Sequence, residues 1–250
     1  MTFSVDASQR DRFLANLAAV RDRLADACRR AGRPADDVRL IAVTKYVDTA
    51  ITRLLAECGC LDLAESRPQS LWRKAETLAA ATPPPRWHLV GHLQRNKIRR
   101  TIGLLTLLHS LDSLRLLEAI EAEAAAAGRV CDALVEVNIS GDHGRTGVPE
   151  PEVAAVLAAA VDCPHVRIGG LMGMAGLPDD AAGGDGLARR QFGRLRELRD
   201  RLATPAVPLA ELSMGMSDDF EDAILEGATL VRIGSALWEG IADADGPLPA

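Results

Sequence analysis

Short apolar runs alternate with longer amphipathic segments along most of the chain. The short runs read as strands at residues 39–44, 61–64, 86–90, 104–108, 133–139, 166–172, 209–212 and 229–233. Between them, apolar residues recur at helical spacing, predicting helices at 49–58, 68–80, 95–103, 113–127, 151–161, 187–203 and 218–226. A short helix opens near Ser235. One further helix, 7–31, precedes the first strand and stops at Gly32-Arg33-Pro34. Pro83-Pro84-Pro85 is a stiff connector. Residues 178–186, with Asp179-Asp180 and Gly183-Gly184-Asp185-Gly186, read as a solvated connector after the sixth strand.

Eight strand–helix units in 250 residues predict a closed parallel (β/α)8 TIM barrel over about 38–240, α/β in class, forming one domain with an extra N-terminal helix. An open doubly wound sheet is the alternative, and it is weakened because no GxGxxG follows the first strand.

Composition adds limits. Hydrophobic residues make up 48% of the chain, enough for a core, and the net charge of −6 argues against a general nucleic-acid binder. No apolar run approaches the roughly 20 residues that span a bilayer. The segment MTFSVDASQRDRF has no signal-peptide core, so a cytoplasmic location is expected. The five cysteines are odd in number and lack paired CxxC spacing, so buried thiols are expected rather than disulfides or zinc ligands.

Active sites of such barrels lie at the C-terminal ends of the strands. Lys45 falls at the end of the first strand, where alternation puts it on the face of Ile41 and Val43. A lysine in a buried setting is costly unless it reaches a polar site, and desolvation there makes the amine a nucleophile. A carbonyl-bearing cofactor such as pyridoxal phosphate uses such an amine for a Schiff base. The alternative is a lysine that snorkels outward at a strand end.

Two segments near the far end suit an anion. Ser213-Met214-Gly215-Met216-Ser217-Asp218-Asp219 follows the seventh strand, and Arg232-Ile233-Gly234-Ser235 closes the eighth. Loops after these strands form the usual phosphate corner of the fold, and each segment alone also reads as helix capping. Arg232 is a strand residue that can point inward, as a site residue or a salt-bridged barrel residue. His88 and His92 are four apart, but Gly91 intervenes and the HExxH glutamate is absent, so metal binding is the minor reading. Arg95, Lys97, Arg99 and Arg100 form a cationic cluster that reads as a solvated face, with nucleic-acid or acidic-partner binding as the minor alternative. The loop Asn138-Ile139-Ser140-Gly141-Asp142-His143-Gly144-Arg145-Thr146-Gly147 reads equally as site lining or a plain turn. Gly169-Gly170-Leu171-Met172 suits close approach, by a ligand or by a neighbouring strand.

Taken in this order, over about 8–240, these segments resemble the pyridoxal-phosphate homeostasis protein family, whose barrel is similar to the N-terminal domain of alanine racemase. The resemblance implies pyridoxal 5'-phosphate as cofactor, with Lys45 as the Schiff-base lysine. It implies phosphate contacts from Ser213, Gly215, Met216, Ser217, Gly234 and Ser235, and Arg232 near the pyridine nitrogen. Further contact positions fall on Ser66, His88, Gly91 and Met172. Some positions depart from the family pattern. Ala64-Glu65-Ser66 stands for Gly-Glu-Asn, Gly91-His92-Leu93 for Gly-Pro-Leu, Arg95 for serine, and Arg145-Thr146-Gly147 for Lys-Ser-Gly.

The implied role is intracellular cofactor storage, delivery or buffering without robust catalysis. Cofactor-dependent apoenzymes are the candidate recipients, and a monomer with no nucleic-acid or membrane partner is expected. A racemase of related fold places a tyrosine opposite the lysine from a second domain. Here Tyr46, the chain's one tyrosine, sits beside Lys45, and too few residues follow the eighth strand for such a domain. The alternatives are a one-base enzyme acting on amino acids and a phosphate-binding barrel without pyridoxal.

Overall fold

The computed structural model describes residues 7–142, 144–176 and 186–241. The chain lays down β1 (Arg39–Val43), β2 (Asp62–Glu65), β3 (Arg86–Leu89), β4 (Leu105–Leu111), β5 (Cys131–Asn138), β6 (Val148–Pro149), β7 (Val166–Gly173), β8 (Glu211–Ser213) and β9 (Leu230–Ile233). All pairings are parallel, in the order β4-β3-β2-β1-β9-β8-β7-β5, and β4 then pairs with β5 to close the ring. The result is the expected eight-stranded barrel. The two-residue β6, not foreseen in the sequence, lies outside the ring against Val137 and Asn138.

Helices alternate with the strands: α1 (Ala7–Arg30), α2 (Thr49–Glu57), α3 (Pro68–Thr77), α4 (Ile98–Thr101), α5 (Leu114–Ala126), α6 (Val153–Ala160), α7 (Leu187–Leu202), α8 (Phe220–Leu225) and α9 (Ser235–Trp238). Two starts are capped as their residues favour. Asp48 Oδ1 accepts from the Ile51 N–H at 2.9 Å, and Ser113 Oγ accepts from the Leu116 N–H at 3.3 Å.

Strand alternation divides the core in two. Ala42, Leu63, Leu108, Val135, Leu171 and Val231 face outward and pack with the helices. Ile41, Val43, Ala64, Leu107, Leu134, Met172 and Leu230 form a smaller cluster inside the ring. Burial of the outer layer supplies the main driving force for closing the helices onto the sheet.

α1 stands outside the strand–helix alternation and covers α8 and α9. Phe13 stacks on Trp238 with ring centroids 5.9 Å apart, and Arg23 lies 4.6 Å above the Phe220 ring. Asn16 Nδ2 donates to the Leu237 and Glu239 carbonyls, and Arg23 donates to Glu221 at 2.7 Å.

Element boundaries moved in three informative places. The expected strand 104–108 runs on to Leu111, because His109 and Ser110 are buried with polar partners and do not end it. The expected helix 95–103 is a 3-10 turn, Arg95–Lys97, followed by the short α4. The expected helix 151–161 likewise opens with a 3-10 turn, Glu150–Glu152, in keeping with Pro151. The connector expected at 178–186 lies outside the described residues up to 185. Among the described residues, no helix is long and apolar enough to cross a membrane. All five cysteines are free, and burial pushes the thiols of Cys60 and Cys131 up to about 11 and about 12.

Candidate functional site

Lys45 lies one residue beyond the hydrogen-bonded part of β1, in a turn closed by the Val47 N–H donating to the Thr44 carbonyl at 3.1 Å. It is half-buried rather than sealed into the core, and its Nζ rests 4.7 Å from the centroid of the exposed Tyr46 ring. A second lysine holds this turn from beneath. Lys74 of α3 is fully buried and donates to the Thr44 carbonyl at 2.7 Å, the Val47 carbonyl at 2.8 Å and Glu65 Oε1 at 2.6 Å. Thr44 Oγ1 donates to the same Glu65 oxygen at 2.7 Å. All three ammonium hydrogens are therefore used. Burial lowers the Lys74 pKa, against the raising effect of Glu65.

The neighbouring loops approach closely because glycine permits it. A Cβ on Gly91 would meet the Ser66 carbonyl oxygen at 2.3 Å, so the loops after β2 and β3 touch only with glycine there. The Gly91 carbonyl in turn accepts from Ser110 Oγ at 2.7 Å. Gly215 has φ +90°, and a Cβ there would meet Ala223 Cβ at 2.6 Å.

After β8 the loop turns so that the Ser217 hydroxyl accepts from two backbone N–H groups, Gly234 at 3.3 Å and Ala236 at 3.2 Å. Both donors thus meet on one hydroxyl oxygen. Ser235 and Met216 are exposed beside it, and the Met216 N–H donates to Asp219 Oδ1 at 2.6 Å. The corner is tied to the lysine strand, since Trp238 Nε1 of α9 donates to the Val43 carbonyl at 3.1 Å.

Inside the ring lies a buried polar set. Arg232 Nη1 donates to Ser213 Oγ at 2.7 Å, and its Nη2 donates to the Gly173 carbonyl at 3.0 Å. Burial lowers the Arg232 pKa to about 10, with Asp219 and Glu136 opposing, so it stays a cation at neutral pH. Burial pushes the Glu136 carboxyl up, even though the Thr146 hydroxyl donates to it at 2.6 Å. Asp219 is also raised by burial, which outweighs the Met216 N–H and the Arg232 charge. His88 is fully buried, with Nε2 at 3.1 Å from Asp62 and Nδ1 at 3.0 Å from His109. Met172 lines the inner apolar cluster.

The barrel thus brings Lys45, Ser66, Gly91, Gly215, Met216, Ser217, Gly234 and Ser235 to the C-terminal mouth, after β1, β2, β3, β8 and β9. Arg232, Ser213, His88 and Met172 lie within the strands instead. Ser213 serves Arg232 and His109 rather than the backbone corner. His88 has both ring nitrogens engaged below the mouth, and no cluster of three metal-ligand side chains occurs among the described residues. His92 instead pairs with Asp112 at 2.7 Å on the surface. Of the cationic face, Arg100 stacks 4.2 Å over the Trp72 ring while Arg95 and Arg99 are exposed. The 138–147 loop is pinned by Asn138 Nδ2 donating to the Asp142 carbonyl at 2.8 Å, and by Thr146 on Glu136; His143 lies outside the described residues.

Sequence reading missed Lys74, Asp62, His109 and Glu136, and gave Glu65 and Asp219 no role of their own within the segments it named. The usable signal was present, since each is a charged or imidazole side chain inside or beside an apolar run. What it lacked was the pairing across elements.

These features define a barrel whose strand ends carry a half-buried amine and, after β8 and β9, a corner where two backbone N–H groups meet one serine hydroxyl. A family model described as "Alanine racemase, N-terminal domain" matches residues 15–241. Relatives called pyridoxal phosphate homeostasis protein include one from Aquifex aeolicus, 37% identical over 89% of this chain and 95% of its own. Another, from Pseudomonas aeruginosa, is 35% identical over 89% of this chain and 93% of its own. Among solved structures, PipY of Synechococcus elongatus with PLP bound aligns with TM-score 0.73 and 33% identity, covering 87% of this chain and 99% of that one. An alanine racemase from Clostridium difficile shares the fold alone, with TM-score 0.71 at 15% identity over 96% of this chain and 57% of that one. The chain belongs to the pyridoxal phosphate homeostasis protein family, on a barrel of the alanine racemase N-terminal type.

Proposed function

We propose that the chain binds pyridoxal 5'-phosphate at the barrel mouth, as a Schiff base on Lys45, and acts in intracellular storage, delivery or buffering of that cofactor. The observation that carries this reading is the adjacency of two donor sets. The Gly234 and Ala236 N–H groups follow β9, the half-buried Lys45 follows β1, and these strands are neighbours bridged by Trp238. The group supplies an aldehyde, which condenses with a primary amine with loss of water, and a phosphate that takes backbone and hydroxyl donors.

The residues present fit it. The Ser217 hydroxyl accepts from both N–H groups, so its own hydrogen is left to donate to a phosphate oxygen, and a phosphate that takes the N–H groups directly displaces that hydroxyl. Lys74 and Glu65 hold the Lys45 turn at a fixed height, which limits the amine's search. Arg232 presents a cation inside the ring, and a cation beside a pyridine nitrogen opposes its protonation and weakens the ring as an electron sink. Tyr46 stays beside the Lys45 amine, where it takes no opposite face. Both features favour holding the cofactor over turning substrates over. The names of the relatives and the cofactor in PipY support the same reading.

On this reading a monomeric single barrel domain in the cytoplasm exchanges the cofactor with apoenzymes that need it. The test is to titrate the purified chain with pyridoxal 5'-phosphate, follow the visible absorbance, and then offer the loaded protein to a cofactor-dependent apoenzyme. A saturable band, lost in Lys45→Ala, followed by activation of the apoenzyme is expected. Absence of any band defeats binding, and turnover of an amino-acid panel by the loaded chain defeats the carrier role.

A further inference from the structure

A continuous line of hydrogen bonds crosses the barrel interior behind Arg232. Arg232 Nη1 is 2.7 Å from Ser213 Oγ, and Ser213 Oγ is 2.8 Å from His109 Nδ1. His109 Nε2 is 3.0 Å from His88 Nδ1, and His88 Nε2 is 3.1 Å from Asp62 Oδ1. His88, His109 and Ser213 are fully buried, and the line draws on β9, β8, β4, β3 and β2 in turn. At its far end Asp62 also accepts from Arg86 Nε at 2.7 Å, where the Arg86 side chain reaches solvent.

The direction of every bond follows from its ends. A guanidinium only donates, so Ser213 Oγ accepts from Arg232 and its own hydrogen goes to His109 Nδ1. That ring is then neutral with hydrogen on Nε2, which donates to His88 Nδ1. His88 carries its hydrogen on Nε2 and donates to Asp62. Burial first, then the nearby charge of His88, Arg232 and Arg39, drives the His109 pKa well below the usual imidazole value. Burial pushes Asp62 up, but hydrogen bonds from Arg86 and His88 outweigh this and hold it well below the carboxylate range. An added proton on His109 Nδ1 would reverse the Ser213 bond and set a second cation near Arg232.

We propose that Asp62, His88, His109 and Ser213 form a one-way hydrogen-bond relay that fixes the Arg232 guanidinium as a donor toward the ring nitrogen of the bound pyridoxal group. The proposal rests on the cofactor reading above, and the relay residues act as positioning residues. Arg232 is braced on its other sides by the Gly173 carbonyl from β7 and by the charges of Glu136 and Asp219. Its backbone N–H is fixed by the Gly215 carbonyl at 3.0 Å. With one amino group on Gly173 and one on Ser213, the plane of the guanidinium has a single orientation. A relay ending on a carboxylate polarises each bond in the same sense, which strengthens the line over its separate pairs.

The test has two arms. In the first, 15N-histidine NMR on the chain without cofactor reads the tautomers of His88 and His109, assigned by single substitution. Both are expected to carry hydrogen on Nε2, and His109 is expected to stay neutral from about pH 6 to about pH 8, whereas a free imidazole titrates inside that window. Hydrogen on Nδ1 of either ring, or titration of His109 like a free imidazole, overturns the relay.

In the second arm, His109→Leu and His109→Gln are loaded with pyridoxal 5'-phosphate. The glutamine amide keeps one donor and one acceptor at about imidazole spacing. His109→Leu is expected to shift the absorbance maximum of the bound cofactor and to weaken its affinity roughly tenfold, about the scale of one buried hydrogen bond. His109→Gln is expected to restore both. An unchanged maximum in His109→Leu, or no rescue by glutamine, means that His109 only supports the fold and overturns its positioning role. A wild-type chain that binds no cofactor defeats the cofactor reading and the relay's role toward the ring, while the NMR arm still decides the relay itself.

Discussion

The Nζ of Lys74 donates to the backbone carbonyl of Thr44 at 2.7 Å, one residue before Lys45. The buried lysine thus sets the backbone that carries the accessible one. Its remaining hydrogens go to Val47 and Glu65, so substituting it strands a buried carboxylate and two carbonyls. Lys74→Met is expected to destabilise the protein by about 3–5 kcal/mol, the range for breaking a buried ion pair by removing one partner. Adding Glu65→Gln should recover part of the loss. Denaturant midpoints at constant m check both, and cofactor affinity should fall in parallel, because the Lys45 turn loosens.

Gly91→Ala forces a Cβ to within 2.3 Å of the Ser66 carbonyl oxygen. The backbone must move, at an expected cost of about 1–3 kcal/mol for overpacking of this kind. Gly169→Ala is the contrast, since its Cβ would meet only Leu134 Cδ2, at 3.9 Å. Its effect should stay within about 0.5 kcal/mol. Equal losses in the two variants would contradict the close approach of the loops after β2 and β3.

Glu136 gives the pH dependence a sign. Burial raises its folded pKa above the unfolded value, so the folded state binds more protons in the interval between them. Stability from this group therefore falls as pH rises through that interval, and the penalty persists at neutral pH. Glu136→Gln keeps an acceptor for Thr146 and removes the charge. It should be more stable than the parent at pH 7, with the gain shrinking as the pH drops through that interval and gone below the ordinary carboxylate value. Chemical denaturation at the two pH values reads this, and a gain independent of pH would contradict it.

Phe13 is fully buried against Trp238, whose indole N–H holds the end of β1. Phe13→Ala should cost about 3–5 kcal/mol as a large core truncation. It should also weaken phosphate binding, because α9 loses its cover. Inorganic phosphate competing with the cofactor in parent and variant separates the second effect from the first.

Much of this was legible in the chain. Each apolar run from 39–44 to 229–233 became a barrel strand, because parallel strands buried on both faces are apolar throughout. Gly215 and the Ser217–Ser235 corner were visible as short local motifs. The polar interior was not. His109 looked like the end of a strand because its partners, His88 and Ser213, are 21 and 104 residues away. Lys74 looked like an ordinary helix lysine, since its acceptors lie 9, 27 and 30 residues off. Local spacing carries elements and turns, whereas pairings across a closed barrel appear only when the ring forms. Ser213 shows the same limit: it was grouped with Ser217 by sequence, yet its hydroxyl faces the interior, on Arg232.

The chain has three lysines, Lys45, Lys74 and Lys97, and their environments differ sharply. Lys74 is fully buried and fully engaged, Lys97 sits in the 3-10 turn before α4, and Lys45 is half-buried at the mouth, after the strand that neighbours β9. The most direct measurement is to load the protein with pyridoxal 5'-phosphate, reduce it with borohydride and map the pyridoxyl group by peptide mass spectrometry. The account predicts one label per chain, on the Lys45 peptide, absent from Lys45→Ala. A label on Lys97 or Lys74, or the same yield from Lys45→Ala, would contradict it.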